Sequence, residues 1–450
     1  MKLYSENKNY KLYHGNMLDM LEVIKPNTVD SVVTDPPYEL NFMGKGWDNS
    51  GIAFQDETWK KCYEVLKPGG YLLAFGGSRT FHRIACAIEN AGFEIRDTIM
   101  WLYGSGFPKS MNIGLAIDKK NCVESRIIGY NGSMMNFRDT GRKQKKISGI
   151  DKLSFGQVEN SERKENPIYE IKNKWKGWGT CLKPSFEPII IARKPFKGSL
   201  IDNVSQYGVG GINVDECRIK YLNEKDKMGA TPQGKCTSSM KDGSVPDIKA
   251  EGRKEFVRPE LIGRFPANTI LTYDENDFDE VCGGMPNTKT GSVRPHKNKS
   301  DGVCNFNTHK ETTNYFNGES GSASRYFYCA KASKKDRDEG LGNFIEKAKV
   351  FNGKSTTSSI DMKDVEKRFT TMGKNVHPTV KPTELMQYLI RLVSPDGATI
   401  LDCFNGSGST GKAVMYENKE KNKHYKYIGI ELLEEYLQIS KARIEYVCNL

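Results

Sequence analysis

The 450-residue chain has no apolar run approaching the roughly 18 residues a membrane-spanning helix needs, and Met1 to Lys11 is charged and polar. It therefore reads as neither exported nor inserted, so a cytoplasmic location without a membrane partner is expected. Paired cysteines are missing as well. Eleven cysteines are scattered singly from Cys62 to Cys448, without the short spacings of a zinc site or a disulfide framework, and the six histidines are equally dispersed. Reduced thiols and no metal follow. No internal repeat is found.

Positive charge is in excess. The net charge of +11 is compatible with a polyanionic partner, although it does not by itself require one. Its distribution is more informative: between Lys119 and Trp178 fourteen Lys or Arg face seven Asp or Glu, so +7 falls in one segment that includes Arg142, Lys143, Lys145 and Lys146. A solvated insertion and a phosphate-contacting surface both fit such a run.

The texture changes twice along the chain. From Tyr10 to Lys119, β-branched or aromatic runs at Val29 to Thr34, Tyr71 to Phe75 and Asp97 to Trp101 alternate with helical patterns at Asp56 to Leu66 and Phe81 to Asn90, as in βαβ units. Lys67-Pro68-Gly69-Gly70 stops the first helix. From Asn121 to about Met372 the chain is rich in Gly, Asn, Ser and Lys, with short apolar segments at Pro188 to Ala192, Thr269 to Thr272 and Tyr326 to Ala330. Ser333 to Gly340 and Lys354 to Ser359 read as linkers or mobile loops. From Thr383 the α/β texture returns, with helices at Glu384 to Val393, Gly411 to Glu420 and Glu434 to Tyr446 and strands at Thr399 to Leu401 and Tyr427 to Ile430. Neither end is long enough for a doubly wound sheet, so one sheet built from both ends, with the middle inserted, is expected.

Near the C-terminus, Asp402-Cys403-Phe404-Asn405-Gly406-Ser407-Gly408-Ser409-Thr410-Gly411 follows a predicted strand and opens a predicted helix. At the carboxyl end of a strand, close backbone approach and a helix N-terminus favour a nucleotide-like ligand, and the next strand ends in Glu431, placed to accept from ribose hydroxyls. Gly406 to Lys412 also approaches the phosphate-loop pattern, but Ala413 stands where magnesium coordination needs Ser or Thr. The spacing Gly406, Gly408, Gly411 fits a dinucleotide fingerprint equally, and a purely structural turn remains open.

Thr34-Asp35-Pro36-Pro37-Tyr38, directly after the apolar strand Val29 to Val33, narrows these choices. Two prolines end the strand and fix the backbone, beside a carboxylate that only accepts hydrogen bonds and a ring that can stack. Such a site suits a planar amine. The exocyclic amine of a base is a poor nucleophile, and acceptors at the Asp35 carboxylate and the Pro36 carbonyl could hold its two hydrogens while Tyr38 stacks on the ring. A proline-bent loop with a capping aspartate is the plain structural alternative.

Asp35-Pro36-Pro37-Tyr38 together with Phe404-Asn405-Gly406-Ser407-Gly408 resembles the amino-methylating DNA methyltransferases, in the permuted, beta-class order where the catalytic motif precedes the cofactor motif. The likeness extends to Lys67-Pro68-Gly69-Gly70, to Lys183 through Pro188, to His377-Pro378-Thr379-Val380-Lys381-Pro382 and to Tyr427 through Glu431. It implies an α/β, Rossmann-like S-adenosylmethionine-dependent fold, circularly permuted around a large inserted target-recognition region. The implied divisions are a catalytic half at 1–118, a basic insertion at 119–178, a core strand region at 179–200, target recognition at 201–324, a return segment and mobile loop at 325–376, and a cofactor half at 377–450.

Carried over by position, Asp35, Pro36, Pro37 and Tyr38 would be catalytic. Asn16, Asp402, Phe404, Gly406, Gly408, Thr410, Glu431 and Lys381 would bind S-adenosylmethionine. Asn16 stands where the family usually has Asp, and Cys403 where it usually has Pro. The resemblance implies methyl transfer to N6 of a flipped adenine in double-stranded DNA, with N4 of cytosine as the nearest alternative. A homodimer and a cognate restriction endonuclease are further partners it allows. RNA or protein amide methylation and a non-catalytic DNA-binding protein are the remaining readings. Arg253, Arg258, Arg264 and Arg294 are candidate DNA contacts.

Overall fold

The computed structural model describes residues 2–40, 46–103, 110–123, 126–131, 166–221, 224, 226–227, 263–273, 287–289, 320–322, 327–331, 334–350 and 370–450. Two compact units emerge, one formed by 1–105 with 185–450 and the other by 106–184. Arg142 to Lys146, Lys354 to Ser359, Arg253, Arg258 and Arg294 lie outside the described residues.

A ten-stranded sheet organises the larger unit. In chain order its strands are β1 (Lys2–Glu6), β2 (Tyr10–His14), β3 (Val29–Thr34), β4 (Leu66–Phe75), β5 (Glu94–Tyr103), β6 (Phe186–Arg193), β7 (Thr269–Tyr273), β8 (Tyr328–Lys331), β9 (Thr399–Asp402) and β10 (Lys426–Glu431). Their spatial order is β1-β2-β10-β9-β3-β4-β6-β5-β7-β8. The five strands from β2 through β10, β9 and β3 to β4 run parallel, and β6 is antiparallel to both of its neighbours. The expected sheet from both chain ends is thus present, but the middle of the chain supplies β6, β7 and β8. β7 falls within 201–324, the stretch expected to serve target recognition.

Helices cover both faces. α1 (Met17–Leu21), α2 (Asp56–Val65) and α3 (Phe81–Asn90) lie on one side; α4 (Ile113–Lys120) belongs to the smaller unit; α5 (Leu200–Tyr207) and α6 (Lys334–Asp338) follow; α7 (Thr383–Val393), α8 (Ser409–Glu420) and α9 (Glu434–Cys448) cover the other side. Alternation along the strands sorts the core: Val33, Leu73, Phe75 and Ile191 pack toward α7 and α8, while Val32, Leu72, Ala74 and Ile190 pack toward α2 and α3. Burial of both strand faces explains why these segments are continuously apolar. The Lys67-to-Gly70 stretch does not precede its strand but lies within it as a register shift against β3, with Gly69 left-handed at φ 81°.

In the smaller unit, Asn112 caps α4 by accepting from the Leu115 amide, and Ile127–Asn131 pairs antiparallel with Asn166–Tyr169. This compact unit is wider than the basic insertion 119–178 expected from charge alone.

The strand Leu66–Phe75 offers a direct check on the layering. Leu72→Ala and Leu73→Ala, each at a fully buried position on opposite faces, should each cost about 2–5 kcal/mol in urea unfolding. A loss under about 1 kcal/mol at either would contradict burial on both sides.

Candidate active site

The two separated motifs meet because β3 and β9 are parallel neighbours, with Ile400 opposite Ser31 and Leu401 opposite Val32. Both motifs therefore leave the sheet at carboxyl ends of adjacent strands, where the strand order reverses direction in sequence. Asp402 joins them: Thr34 Oγ1 donates to its Oδ1 at 2.7 Å, Thr410 Oγ1 to its Oδ2 at 2.6 Å, and the Phe404 amide to Oδ1 at 3.1 Å. Burial pushes Asp402 up to about 6 against these hydrogen bonds.

The glycine turn then enters α8. Gly408 has φ 75°, and a Cβ there would stand 2.3 Å from Ser440 Oγ; Gly406, at φ 53°, faces His377 in the same way at 3.0 Å. Any side chain would close this approach. Glu431, at the end of β10, takes the Gly406 amide at 2.7 Å on Oε2 and the Leu433 amide at 2.9 Å on Oε1. Burial raises its carboxyl to about 7, with those amides opposing the rise. Phe404 is half-buried beside this turn. Asn16 follows β2, which pairs with β10; its side chain accepts from the Leu18 amide at 3.0 Å, so it caps α1 within the same end of the sheet.

Lys412 answers the phosphate-loop alternative. Its ammonium is fully buried and pairs with Asp336 at 2.6 Å and Glu339 at 2.7 Å, so its charge is already met by protein carboxylates. Asp336 also accepts from the Thr383 amide and hydroxyl, and buried Arg443 donates to the Ser407 carbonyl at 2.8 Å and to the Asp336 carbonyl at 3.4 Å. Burial alone would raise Asp336, but Lys412 outweighs it and holds the carboxyl below its usual range. The expectation that Ser333 to Gly340 is a linker is therefore corrected. Lys334–Asp338 is a helix fastened by buried charge between the glycine turn and the start of α7, and its polar sequence concealed that role.

On the Asp-Pro-Pro-Tyr side, Pro36 is buried and Pro37 half-buried. Thr80 Oγ1 donates to the Tyr38 carbonyl at 2.8 Å, which fixes the segment beyond the prolines. The Tyr38 hydroxyl donates to Glu187 Oε2 at 2.7 Å, and Tyr103 donates to Glu187 Oε1 at 3.2 Å. Lys381, expected on the cofactor, instead donates to Asp35 Oδ2 at 2.7 Å and lies 3.4 Å from Glu187 Oε2. Its other surroundings are the rings of Phe75, Tyr38 and Trp101, 4.9 to 6.0 Å from the ammonium. The second Asp35 oxygen, Oδ1, is buried without a hydrogen-bond partner. An unpaired buried acceptor costs about 1–3 kcal/mol, so a donor that fills it has a ready gain.

The sequence reading missed Glu187 and Asp336. A carboxylate inside the apolar run Phe186 to Ala192 was the available signal for the first. Among the candidate DNA contacts, Arg264 forms a two-pronged pair with Asp226 at 2.8 Å for both bonds, which gives it a structural role.

A largely parallel α/β sheet with a glycine turn and the Asp35-Pro36-Pro37-Tyr38 segment on neighbouring strands is the arrangement expected of the methyltransferase class. The model of the N6_N4 DNA methylase family matches residues 29–442, and the chain belongs to that family. It is accordingly an N4/N6 DNA methyltransferase of restriction-modification type that uses S-adenosylmethionine. The chain is 26% identical over 271 residues to the type II methyltransferase M2.LlaDCHI of Lactococcus lactis subsp. cremoris, covering 51% of this chain and 94% of that one. It is 25% identical over 244 residues to M.HindIII of Haemophilus influenzae, covering 45% and 64% respectively. Among solved structures, the PvuII cytosine-N4-specific DNA methyltransferase aligns over 100% of this chain and 94% of its own at 12% identity, with a TM-score of 0.40, a likeness too slight to argue from.

The buried cluster gives a stability test. Lys412→Met removes the closest buried cation from Asp336 and Glu339, leaving Arg443 4.0 Å from Asp336, and should cost about 3–5 kcal/mol in urea unfolding. A change under about 1 kcal/mol would show that the cluster does not hold α6 and α8 together.

Proposed function

We propose that the chain methylates the exocyclic N6 amine of adenine in double-stranded DNA after the base is flipped out of the helix. The observation that carries this reading is the buried, unpartnered Oδ1 of half-buried Asp35, one strand from the glycine turn. An amine hydrogen can bond to Oδ1, and the Pro36 carbonyl is the second acceptor for the amine. The two acceptors help the nitrogen turn its lone pair toward the methyl donor; as the N–C bond forms and the donor's methyl–sulfur bond breaks, a neutral thioether would leave, and the proton then lost from the cationic nitrogen would pass by way of Asp35. Tyr38 supports the flipped base, and stacking partly offsets an extrusion cost of about a few kcal/mol.

The residues at the glycine turn fit S-adenosylmethionine. Gly406 and Gly408 allow the left-handed turn at the start of α8 to pack closely on His377 and Ser440, Glu431 offers its carboxylate to the ribose, and Phe404, Asn16, Asp402 and Thr410 complete the surroundings. When bound, the cofactor supplies a methyl group on a positively charged sulfur. Adenine is favoured over cytosine because Asp, rather than Ser, opens the Asp35-Pro36-Pro37-Tyr38 motif.

Incubation with tritiated S-adenosylmethionine and mixed-sequence DNA, followed by digestion to nucleosides, should place the label in N6-methyladenosine. Label in N4-methylcytidine would move the base while keeping the site chemistry, and absence of label would overturn the reading. Asp35→Ala should lower the transfer rate by about 100-fold or more, because a preorganised electrostatic partner is lost. Wild-type transfer by that variant would contradict its assignment.

Cofactor affinity should depend on pH. Hydroxyl donors favour the ionised form of Glu431, whose carboxyl rests near 7 in the free protein, so bound cofactor pulls that value down. Calorimetric affinity for S-adenosylmethionine should therefore weaken as pH falls through 7, and Glu431→Gln should flatten that part of the curve. A pH-independent affinity in the unaltered protein would remove Glu431 from the cofactor site.

A further inference from the structure

Around Asp35 the site gathers more charge than amine binding requires. One ammonium, Lys381, lies between two carboxylates, at 2.7 Å from Asp35 Oδ2 and 3.4 Å from Glu187 Oε2. Lys381 retains 6% of its side-chain exposure, and Asp35 and Glu187 about a fifth. Glu187 is satisfied on both oxygens by the hydroxyls of Tyr38 and Tyr103, and burial keeps each phenol a neutral donor. With two carboxylates and one ammonium charged, the cluster carries one net negative charge. A simple Lys381–Asp35 pair would carry none.

Resting on the methyl-transfer reading, we propose that Lys381 and Glu187 are positioning residues. Lys381 anchors Oδ2 so that Oδ1 faces the target amine, and Glu187 restores the negative charge that Lys381 would otherwise cancel. A nitrogen that becomes cationic while it is methylated is favoured in such a pocket, whereas a neutral pocket would leave that charge uncompensated. The groups that act on this balance come from several elements: Lys381 ahead of α7, Glu187 on β6, Tyr38 beyond β3, Tyr103 on β5 and Asp402 on β9. Burial raises the Asp35 carboxyl, Lys381 opposes the rise and Glu187 adds to it. The two positioning residues therefore pull in opposite directions.

That opposition separates a charge role from a merely structural one. Protein labelled with 13C at aspartate carboxyl carbons, with Asp35→Asn to assign the signal, reports the Asp35 titration directly and needs no DNA. Glu187→Gln should lower the Asp35 midpoint by about one pH unit or more, and Lys381→Met should raise it by about as much. Lys381→Arg should restore the midpoint, and Glu187→Asp, which keeps the charge, should leave it near the wild-type value. Glu187→Gln, which keeps the shape of the side chain and removes only its charge, decides the matter if Lys381→Met fails to fold. The acid limb of the rate of DNA methylation should move with the midpoints, at unchanged affinity for S-adenosylmethionine in Glu187→Gln. Midpoints that stay fixed, or move the same way in both neutral variants, would overturn the proposal. If the wild-type protein methylates no DNA, the functional reading fails, while the carboxyl titration still decides the charge balance.

Discussion

Two short parallel strands from opposite ends of the chain carry the organisation of this protein. β3 and β9 are more than 360 residues apart in sequence, yet Thr34 at the end of one donates to Asp402 at the end of the other. Asp402 in turn takes the hydroxyl of Thr410 at the start of α8. One buried carboxylate thus sets the spacing between the Asp35-Pro36-Pro37-Tyr38 segment and the glycine turn. If β9 slipped by one residue, Asp402 would point to the opposite face and the bridge would be lost, because side chains alternate along a strand.

Buried charge does a second job at both sides of this bridge. Lys412 and Arg443 hold α6 beneath the glycine turn, and Lys381 lies between Asp35 and Glu187 on the other side. Such pairs are weak contributors to net stability, since desolvation consumes most of the attraction, but each fixes a geometry that apolar packing would leave free to slide. The site is therefore built from directional contacts laid over a core that is layered by simple alternation. Lys412 illustrates the distinction: the same residue in a phosphate loop would face its ligand, whereas here two protein carboxylates enclose it.

The layered core was legible in the sequence because it follows period. The helix at Phe81 to Asn90 and the strands Val29 to Thr34 and Tyr427 to Ile430 are marked by regular apolar spacing, and the folded elements coincide with them or differ at their ends by a residue. The contacts that shape the site were not legible, because they join residues far apart whose local sequence looks ordinary. Lys334 to Asp338 is polar throughout and resembles a linker; only the three-dimensional position of Lys412 and Thr383 gives Asp336 its partners. Likewise Lys381 sits in a motif associated with the cofactor side, while its ammonium crosses to Asp35. Asp35 stands out in the sequence because Tyr38 follows the two prolines and an apolar strand precedes them, a setting less expected of a merely capping aspartate.

The most direct test of this arrangement is a crystal structure with bound S-adenosylmethionine. The account predicts the cofactor at the carboxyl ends of β9 and β10, its ribose on Glu431 and its methyl-bearing sulfur turned toward Asp35 Oδ1 across the gap between β9 and β3. Cofactor bound away from the glycine turn, or with its sulfur turned from Asp35, would contradict it.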